Sequence, residues 1–290
     1  MSEFTISDNV DLVVLDVGVT RPDGSFAADL TREDFRVFED GRPREIKDFS
    51  STDVPVTLGL VVDNSGSMRP KRPEVLTAGL AFVRSSNPKD QFFVVNFNDS
   101  VTRGLPFSVG FTDDLQLLRK ALYRGDASGQ TALYDAIVYS LRHLELSPEQ
   151  RRTLVVVSDG RDNVSSISFE GLMDTIRSSR ATIYTIGLSD PGESELSPRI
   201  LRKIASVSGG EYFEPKQLTD ITATLEKISQ DIRHRYVVTY VPDEVNDKRE
   251  IRKVRVTASQ NGRKLTVRTR TSYSIGRPSH TAIAGAVPAH

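Results

Sequence analysis

The sequence predicts an α/β protein: a doubly wound, mostly parallel sheet inserted in a small antiparallel β-sandwich-like domain. Three observations carry this. From Val54 to about Arg235, short apolar runs rich in β-branched residues alternate with segments whose apolar residues recur every three and four positions, as buried parallel strands separated by helices require. The flanks read instead as strand, turn and strand, with no room for crossover helices. Each flank has too few strands to bury an apolar face alone, so residues 8–52 and 236–274 are expected to pair into one domain around residues 54–235.

In chain order, "NVDLVVLDVGVTRPDGSFAADL" and "REDFRVFEDGRPREIKDFSS" supply the first strands, with Asp23-Gly24 and Asp40-Gly41 at the turns. The central strands are "VTLGLVVD", "QFFVVNF", "TLVVVSDG" and "ATIYTIGL", each too short to be a buried helix. Between and after them lie the helix-period segments "PEVLTAGLAFVRSS", "DLQLLRKALYRG", "TALYDAIVYSLRHLEL", "FEGLMDTIRSSR" and "PRILRKIASVSGG". Pro73 sits near one helix start, Asp113 or Asp114 offers a cap to the next, and Gly209 and Gly210 stop another. A last helix, "LTDITATLEKISQDIRHRY", leads back into strand-like sequence, which closes on a hairpin around Asn261-Gly262. The tail, residues 275–290, is small-residue sequence with Pro and Gly and is expected to be disordered.

Composition narrows the function. With 290 residues the chain can bury roughly three quarters of its unfolded surface, enough for a core without staples. Lys and Arg number 38 against 39 Asp and Glu, so no global field draws the chain to nucleic acid or an anionic membrane. The basic hairpin after Arg249 alternates its charges with Val and Thr, as a solvated sheet face does. There is no Cys, which removes disulfides, thiolate ligands and a Cys nucleophile. No apolar run is long enough to span a membrane, and "MSEFTISDNV" lacks the plan of a signal peptide, so the chain is expected to be soluble as it stands.

The chemistry concentrates in three loops. "DNSGSM" follows an apolar strand with Asp63, Ser65 and Ser67 on alternate positions; "SGQTALYDA" places Thr131 just before a helix; "VVVSDGRDN" places Asp159 at a strand end. In an open parallel sheet, ligands bind outside the carboxyl ends of the strands. Two carboxylates and three hydroxyls, with no His or Cys, form a hard oxygen set. Such a set suits Mg²⁺ or Mn²⁺, with Ca²⁺ as a further candidate, and argues against Zn²⁺ or Cu²⁺.

These three elements resemble the metal-ion-dependent adhesion site of von Willebrand factor A domains, in the family's order and on the expected segments. Beyond the central region, "LTREDFRVFEDGRPREIKDF" and "YVVTYVP" with its basic hairpin resemble bacterial proteins called VWFA-related, many of them from acidobacteria. The resemblance implies a Rossmann-like domain in which Ser65 and Ser67 ligate the metal directly, Asp63 and Asp159 act directly or through water, and Thr131 joins or leaves the shell. It further implies that an acidic side chain of a protein partner completes the coordination, and that the protein is exported, to the periplasm or outside the cell.

Other residues receive plainer readings. Asp135, one helical turn after Thr131, is expected to support the helix N-terminus and not the metal. Asp162 and Asn163 read equally as a polar surface loop or as a rim that meets the partner. His143, His234, His280 and His290 are scattered without metal-like spacing. The leading expectation is a non-enzymatic, metal-dependent protein-binding module. The alternatives are a Mg²⁺-dependent phosphoryl-transfer or hydrolytic enzyme using Asp63, and a scaffold with a structural metal. The sequence leaves oligomeric state and partner identity open.

Overall fold

The computed structural model describes residues 12–51, 53–188, 196–242 and 251–274. The expected disordered tail, His280 and His290 lie outside the described residues. The first flank forms β1 (Val13–Thr20), β2 (Phe35–Glu39), β3 (Arg42–Arg44) and β4 (Ile46–Ser50). The centre then runs β5 (Val56–Asp63), α1 (Arg72–Ser85), β6 (Gln91–Phe97), β7 (Val101–Arg103), α2 (Leu115–Leu122), α3 (Leu133–Leu144), β8 (Arg151–Ser158), α4 (Phe169–Ser178), β9 (Thr182–Gly187), α5 (Leu196–Ser208), β10 (Tyr212–Phe213) and α6 (Ile221–Arg233). The second flank contributes β11 (Arg235–Tyr240), β12 (Ile251–Gln260), β13 (Arg263–Lys264), β14 (Thr266–Arg268) and β15 (Ser272–Ser274).

The central strands form one six-stranded sheet in the order β10-β9-β8-β5-β6-β7, parallel except for β7. Every residue of β5 and β9 is buried, because helices cover both faces, and this is why these strands read as unbroken apolar runs. From β5 the chain moves outward to β6 and β7, then crosses back to place β8 on the other side of β5. The strand order therefore reverses between β5 and β8, which opens a crevice beyond their carboxyl ends. Helix starts follow local chemistry: Asp114 accepts the backbone N–H groups of Gln116 and Leu117 at the head of α2, and Ser168 accepts that of Gly171 at the head of α4. The edge strands β7 and β10 carry three and two residues, too few to produce a periodic signal in the sequence.

Strands from the two flanks pair with one another. One sheet has the order β14-β1-β11-β4, and a second contains β13-β12-β2-β3 with β15 also on β12. Asp40-Gly41 and Asn261-Gly262 take left-handed backbone angles, with φ of 47°, 84°, 51° and 75°, which is the twist that two-residue hairpin turns demand. Inward residues Leu15, Val17, Tyr236 and Val238 of the first sheet meet Phe35, Val37, Val254 and Val256 of the second in one core.

The solvated-face reading of the basic hairpin needs correction at three positions. Arg252 is buried against Glu39, Arg268 pairs with Asp231 and Glu211, and the buried Arg270 donates to the Ser179 carbonyl. Each found an anionic or carbonyl partner on a neighbouring element, which charge alternation along a single strand could not reveal. Lys253 and Arg255 do face solvent.

Gly59 shows how tightly the central sheet is closed. A Cβ at this position would overlap both the Phe93 ring on β6 and Leu154 Cδ2 on β8. Gly59→Ala is expected to lower stability by about 1–3 kcal/mol, read as a lower urea midpoint with an unchanged slope.

Candidate functional site

The carboxyl end of β5 delivers Asp63, and the chain then tightens into a short 3-10 turn at Gly66–Met68. Asp63 is 1 % exposed. Its Oδ1 accepts the Ser65 backbone N–H at 2.8 Å, which folds the loop back over the strand end. Its Oδ2 accepts the Ser158 hydroxyl at 2.6 Å, from the last residue of β8. Burial pushes the Asp63 carboxyl up to about 6; hydrogen bonds from Ser158 and Ser65 oppose the rise and the charge of Asp159 adds to it.

Asp159, fully buried, follows β8 directly. The Ser67 hydroxyl donates to its Oδ2 at 2.6 Å, and the Arg161 backbone N–H donates to its Oδ1 at 3.1 Å. Ser65 Oγ and Ser67 Oγ lie 3.2 Å apart. Asp63, Ser65, Ser67 and Asp159 are thus joined in one hydrogen-bonded cluster at the crevice between β5 and β8.

Thr131, 3 % exposed, reaches the same end of the sheet by a different route. Gly66 N–H donates to the Gly129 carbonyl at 3.1 Å, and Ala132 N–H to the Asn98 carbonyl at 2.8 Å, lacing the 128–132 segment to the loops after β5 and β6. Asn163 then grips the Thr131 backbone on both sides: its Oδ1 accepts the Thr131 N–H at 2.8 Å and its N–H donates to the Thr131 carbonyl at 3.0 Å. Among the described residues the Thr131 hydroxyl makes no hydrogen bond to the other four side chains.

Four neighbours carry roles that residue type alone does not disclose. Asn163 positions Thr131, and Asp162 accepts the Tyr134 N–H and the Ser165 hydroxyl, so both clamp the loop after β8 to the start of α3. Asp135 sits in the first turn of α3, but its carboxylate accepts the N–H groups of Ser166 and Ile167 in the loop before α4. Ser158, absent from the sequence reading, is the buried donor to Asp63. The "SDG" stretch contained it, yet only the pairing of β5 with β8 brings it to the carboxylate.

The donor chemistry fits a hard divalent cation. Two ligand oxygens on adjacent corners of an octahedron stand about 2.9 Å apart for Mg²⁺ and about 3.3–3.7 Å for Ca²⁺, and the serine hydroxyls fall between these values. Because the Ser67 hydroxyl donates to Asp159, it accepts from the Ser65 hydroxyl, and one lone pair of Ser67 Oγ and those of Ser65 Oγ stay available as ligands. Two buried carboxylates in contact range of one cluster leave negative charge that a cation would neutralise. Among the described residues there is no group of three or more His, Cys, Asp or Glu placed to hold a metal, so any ion here would rest largely on hydroxyls.

Comparison with known proteins adds a family and a fold. The sequence model described as von Willebrand factor type A domain matches residues 58–231. Among solved structures, a von Willebrand factor type A protein from Catenulispora acidiphila is similar with a TM-score of 0.54 at 14 % identity, covering 91 % of this chain and 73 % of that one. The vWF domain of the type V pili tip protein Mfa5 from Porphyromonas gingivalis gives a TM-score of 0.50 at 14 % identity, covering 62 % and 96 %. The PilB minor pilin from Streptococcus sanguinis gives 0.51 at 13 % identity, covering 67 % and 64 %. At these identities the likeness is one of fold. A comparison with curated proteins returned no significant match.

Proposed function

Given that the chain belongs to the von Willebrand factor type A domain family, whose domains mediate protein interactions, we propose that it is a binding module that uses a divalent cation to capture an acidic group of a protein partner. The observation that carries this reading is the cluster at the β5–β8 crevice, where Ser67 donates to the buried Asp159 and Ser65 Oγ stands 3.2 Å from Ser67 Oγ. Ser65 and Ser67 would hold the cation directly, Asp63 and Asp159 directly or through water, and Thr131 would join or leave. Bound there, the cation offers a Lewis-acidic position for one more anionic oxygen, because only two protein carboxylates surround it. Asn163 and Gly129 tie the Thr131 segment to the neighbouring loops, and Ser158 fixes one oxygen of Asp63, which supports this reading. The use of the same fold in a pilus tip protein and a minor pilin agrees with a binding role.

The phosphoryl-transfer alternative has less to work with. The Ser65 and Ser67 hydroxyls bond to each other and to Asp159, while Arg69 and Arg72 donate to the main-chain carbonyls of Ala127, Tyr123 and Gly125. Turnover of a generic phosphatase substrate, lost in Asp63→Asn, would favour it.

Calorimetric titration of Mg²⁺, Mn²⁺ and Ca²⁺ into chelator-stripped protein tests the binding reading. Ser67→Ala is expected to weaken Mg²⁺ and Mn²⁺ by at least about ten-fold with an unchanged far-UV spectrum. A wild-type protein that takes up none of the three ions, alone or with an acidic peptide present, would sink it.

A further inference from the structure

Three arginines gather at the amino end of β8, away from the cluster at its carboxyl end. Arg152 is the second residue of β8 and Asp159 follows the last, so the two stand roughly 20 Å apart along the strand. Arg152 opens onto a recess of about 150 Å³, shared with Glu145 at the end of α3 and with Ser179 and Arg180 in the turn between α4 and β9. The buried Leu141 and Leu144 supply its apolar wall. Arg270, from the second flank, is buried beside it and donates to the Ser179 carbonyl. The guanidiniums oppose one another: burial and then the charge of Arg180 push Arg270 down to about 10, and the same two causes lower Arg152. All three remain charged at neutral pH.

The fold does not use the Arg180 side chain. It is exposed, and among the described residues it makes neither a hydrogen bond nor an ion pair. The carbonyls at the nearby helix ends are already taken: those of Leu141, His143 and Leu144 accept the N–H groups of Glu145, Leu146 and Ser147, and that of Thr175 accepts the N–H of Ser179. Arg152 gives Nε to the Glu149 carbonyl at 3.0 Å and one terminal nitrogen to the Ser147 carbonyl at 2.8 Å, and its other terminal nitrogen has no partner among the described residues. The Ser179 hydroxyl accepts the Ala181 N–H at 3.1 Å, and its own proton has no acceptor among them. Like charges with unused donors around one recess lose their repulsion when an anion enters, and a tetrahedral oxyanion offers an oxygen to each donor. Glu145 narrows the class. Its charge acts on Arg152, yet it makes no ion pair among the described residues, so the wall holds an unpaired carboxylate. An oxyanion that keeps a proton can donate it there, and one without a proton meets only repulsion. Sulfate carries none at neutral pH, and a phosphate monoester loses its last above about pH 6. We propose that this recess is a binding site for hydrogen phosphate, held by Arg180, Arg152 and the Ser179 hydroxyl and selected by Glu145. It stands independently of the metal reading.

Calorimetric titration of chelator-stripped protein with sodium phosphate at pH 7.5 and constant ionic strength tests this, with sodium sulfate and a phosphoserine peptide as the competing oxyanions. Stripping keeps phosphate from reporting on a metal in the other cluster. Wild type is expected to bind phosphate, with sulfate and the phosphoserine peptide each at least about ten-fold weaker. Arg180→Ala should weaken phosphate by at least about ten-fold. Its urea midpoint in phosphate-free buffer should equal or exceed that of wild type, because the substitution relieves repulsion and breaks no contact, which a structural role would not give. Glu145→Gln supplies an amide that donates to an oxyanion without a proton, so sulfate should come within about three-fold of phosphate. A wild type that binds no phosphate, undiminished phosphate binding by Arg180→Ala, or a lowered urea midpoint for that variant overturns the site. Sulfate bound by wild type as tightly as phosphate overturns the role of Glu145 and the assignment to hydrogen phosphate. A phosphoserine peptide bound as tightly overturns the assignment in favour of a phosphorylated chain.

Discussion

In chelator-stripped protein at pH 7.5, Asp63→Asn is expected to unfold at a higher urea concentration than wild type, while losing divalent-cation binding altogether. The carboxyl is raised to about 6 by burial, against about 3.9 for an unfolded chain. The folded state therefore holds its proton more tightly than the unfolded state does. Below about pH 4 both states are protonated and the group costs nothing. As pH rises through 4 to 6 the unfolded state ionises first, and stability falls; above about 6 both states are ionised and the full deficit of roughly 3 kcal/mol is in place. Asparagine removes the charge, keeps an acceptor for the Ser65 N–H, and turns the Ser158 contact into one that Ser158 must accept, which costs about 1 kcal/mol. The net expectation is a gain of about 1–2 kcal/mol at pH 7.5 and loss of the pH 4–6 slope. The check is a series of urea melts with EDTA from pH 4 to 8, followed by calorimetry with Mg²⁺. A less stable variant, or a wild type whose stability does not fall between pH 4 and 6, would contradict the account. With a cation present the order should invert, because only wild type gains from ligation.

How much of this could be read in advance differs between parts of the chain. The central sheet was legible because the middles of β5, β6, β8 and β9 are buried on both faces and read as apolar runs, with Gln91, Arg151 and Arg152 confined to strand starts and Asn96 near the end of β6. The loop residues Asp63, Ser65, Ser67, Thr131 and Asp159 stood out by type and spacing. What holds them stayed hidden. Ser158, Asn163 and Asn98 are ordinary polar residues until β5 pairs with β8 and the three loops meet, and their partners lie 95, 32 and 34 residues away. Burial of charge was hidden for the same reason. Arg252, Arg268 and Arg270 alternate with small and β-branched residues as a wet strand face does, and only the arrival of Glu39, Asp231 and the Ser179 carbonyl makes their burial tolerable.

The largest loss of stability is expected at Arg235, where the last central helix hands over to the flanking sheet. Arg235 is 2 % exposed and opens β11 just after α6. One guanidinium nitrogen donates to the Tyr184 hydroxyl on β9 at 2.8 Å and stands 3.4 Å from Asp231 Oδ2 in the last turn of α6. The other donates to the carbonyls of Gly209 at 2.7 Å, Asp16 at 3.2 Å and Arg268 at 3.3 Å. Nε adds an ion pair with Asp16 on β1 at 3.3 Å. Tyr184 donates to Asp231 in turn, and Arg151 from β8 donates to the Ile232 carbonyl at 2.5 Å while standing 3.5 Å from Asp16. The side chain therefore joins elements of the central sheet to strands of both flanks. Arg235→Met retains the volume and removes every donor, leaving the buried Asp231 with Arg268 and Tyr184 and taking one donor away from the carbonyls of Gly209, Asp16 and Arg268. The cost of breaking such a buried network from one side is about 3–5 kcal/mol, equivalent to roughly 10 °C in Tm for a chain of this size. Adding Asp231→Asn should recover part of the loss, because the carboxylate that Arg235 neutralised is then gone; the double-mutant cycle should give a coupling of about 1–3 kcal/mol. Strictly additive losses would mean that Arg235 acts through its carbonyl contacts alone. A Tm within about 2 °C of wild type for Arg235→Met would mean that the flanking sheet is held to the centre by its apolar packing, and that the ion network adds geometry without stability.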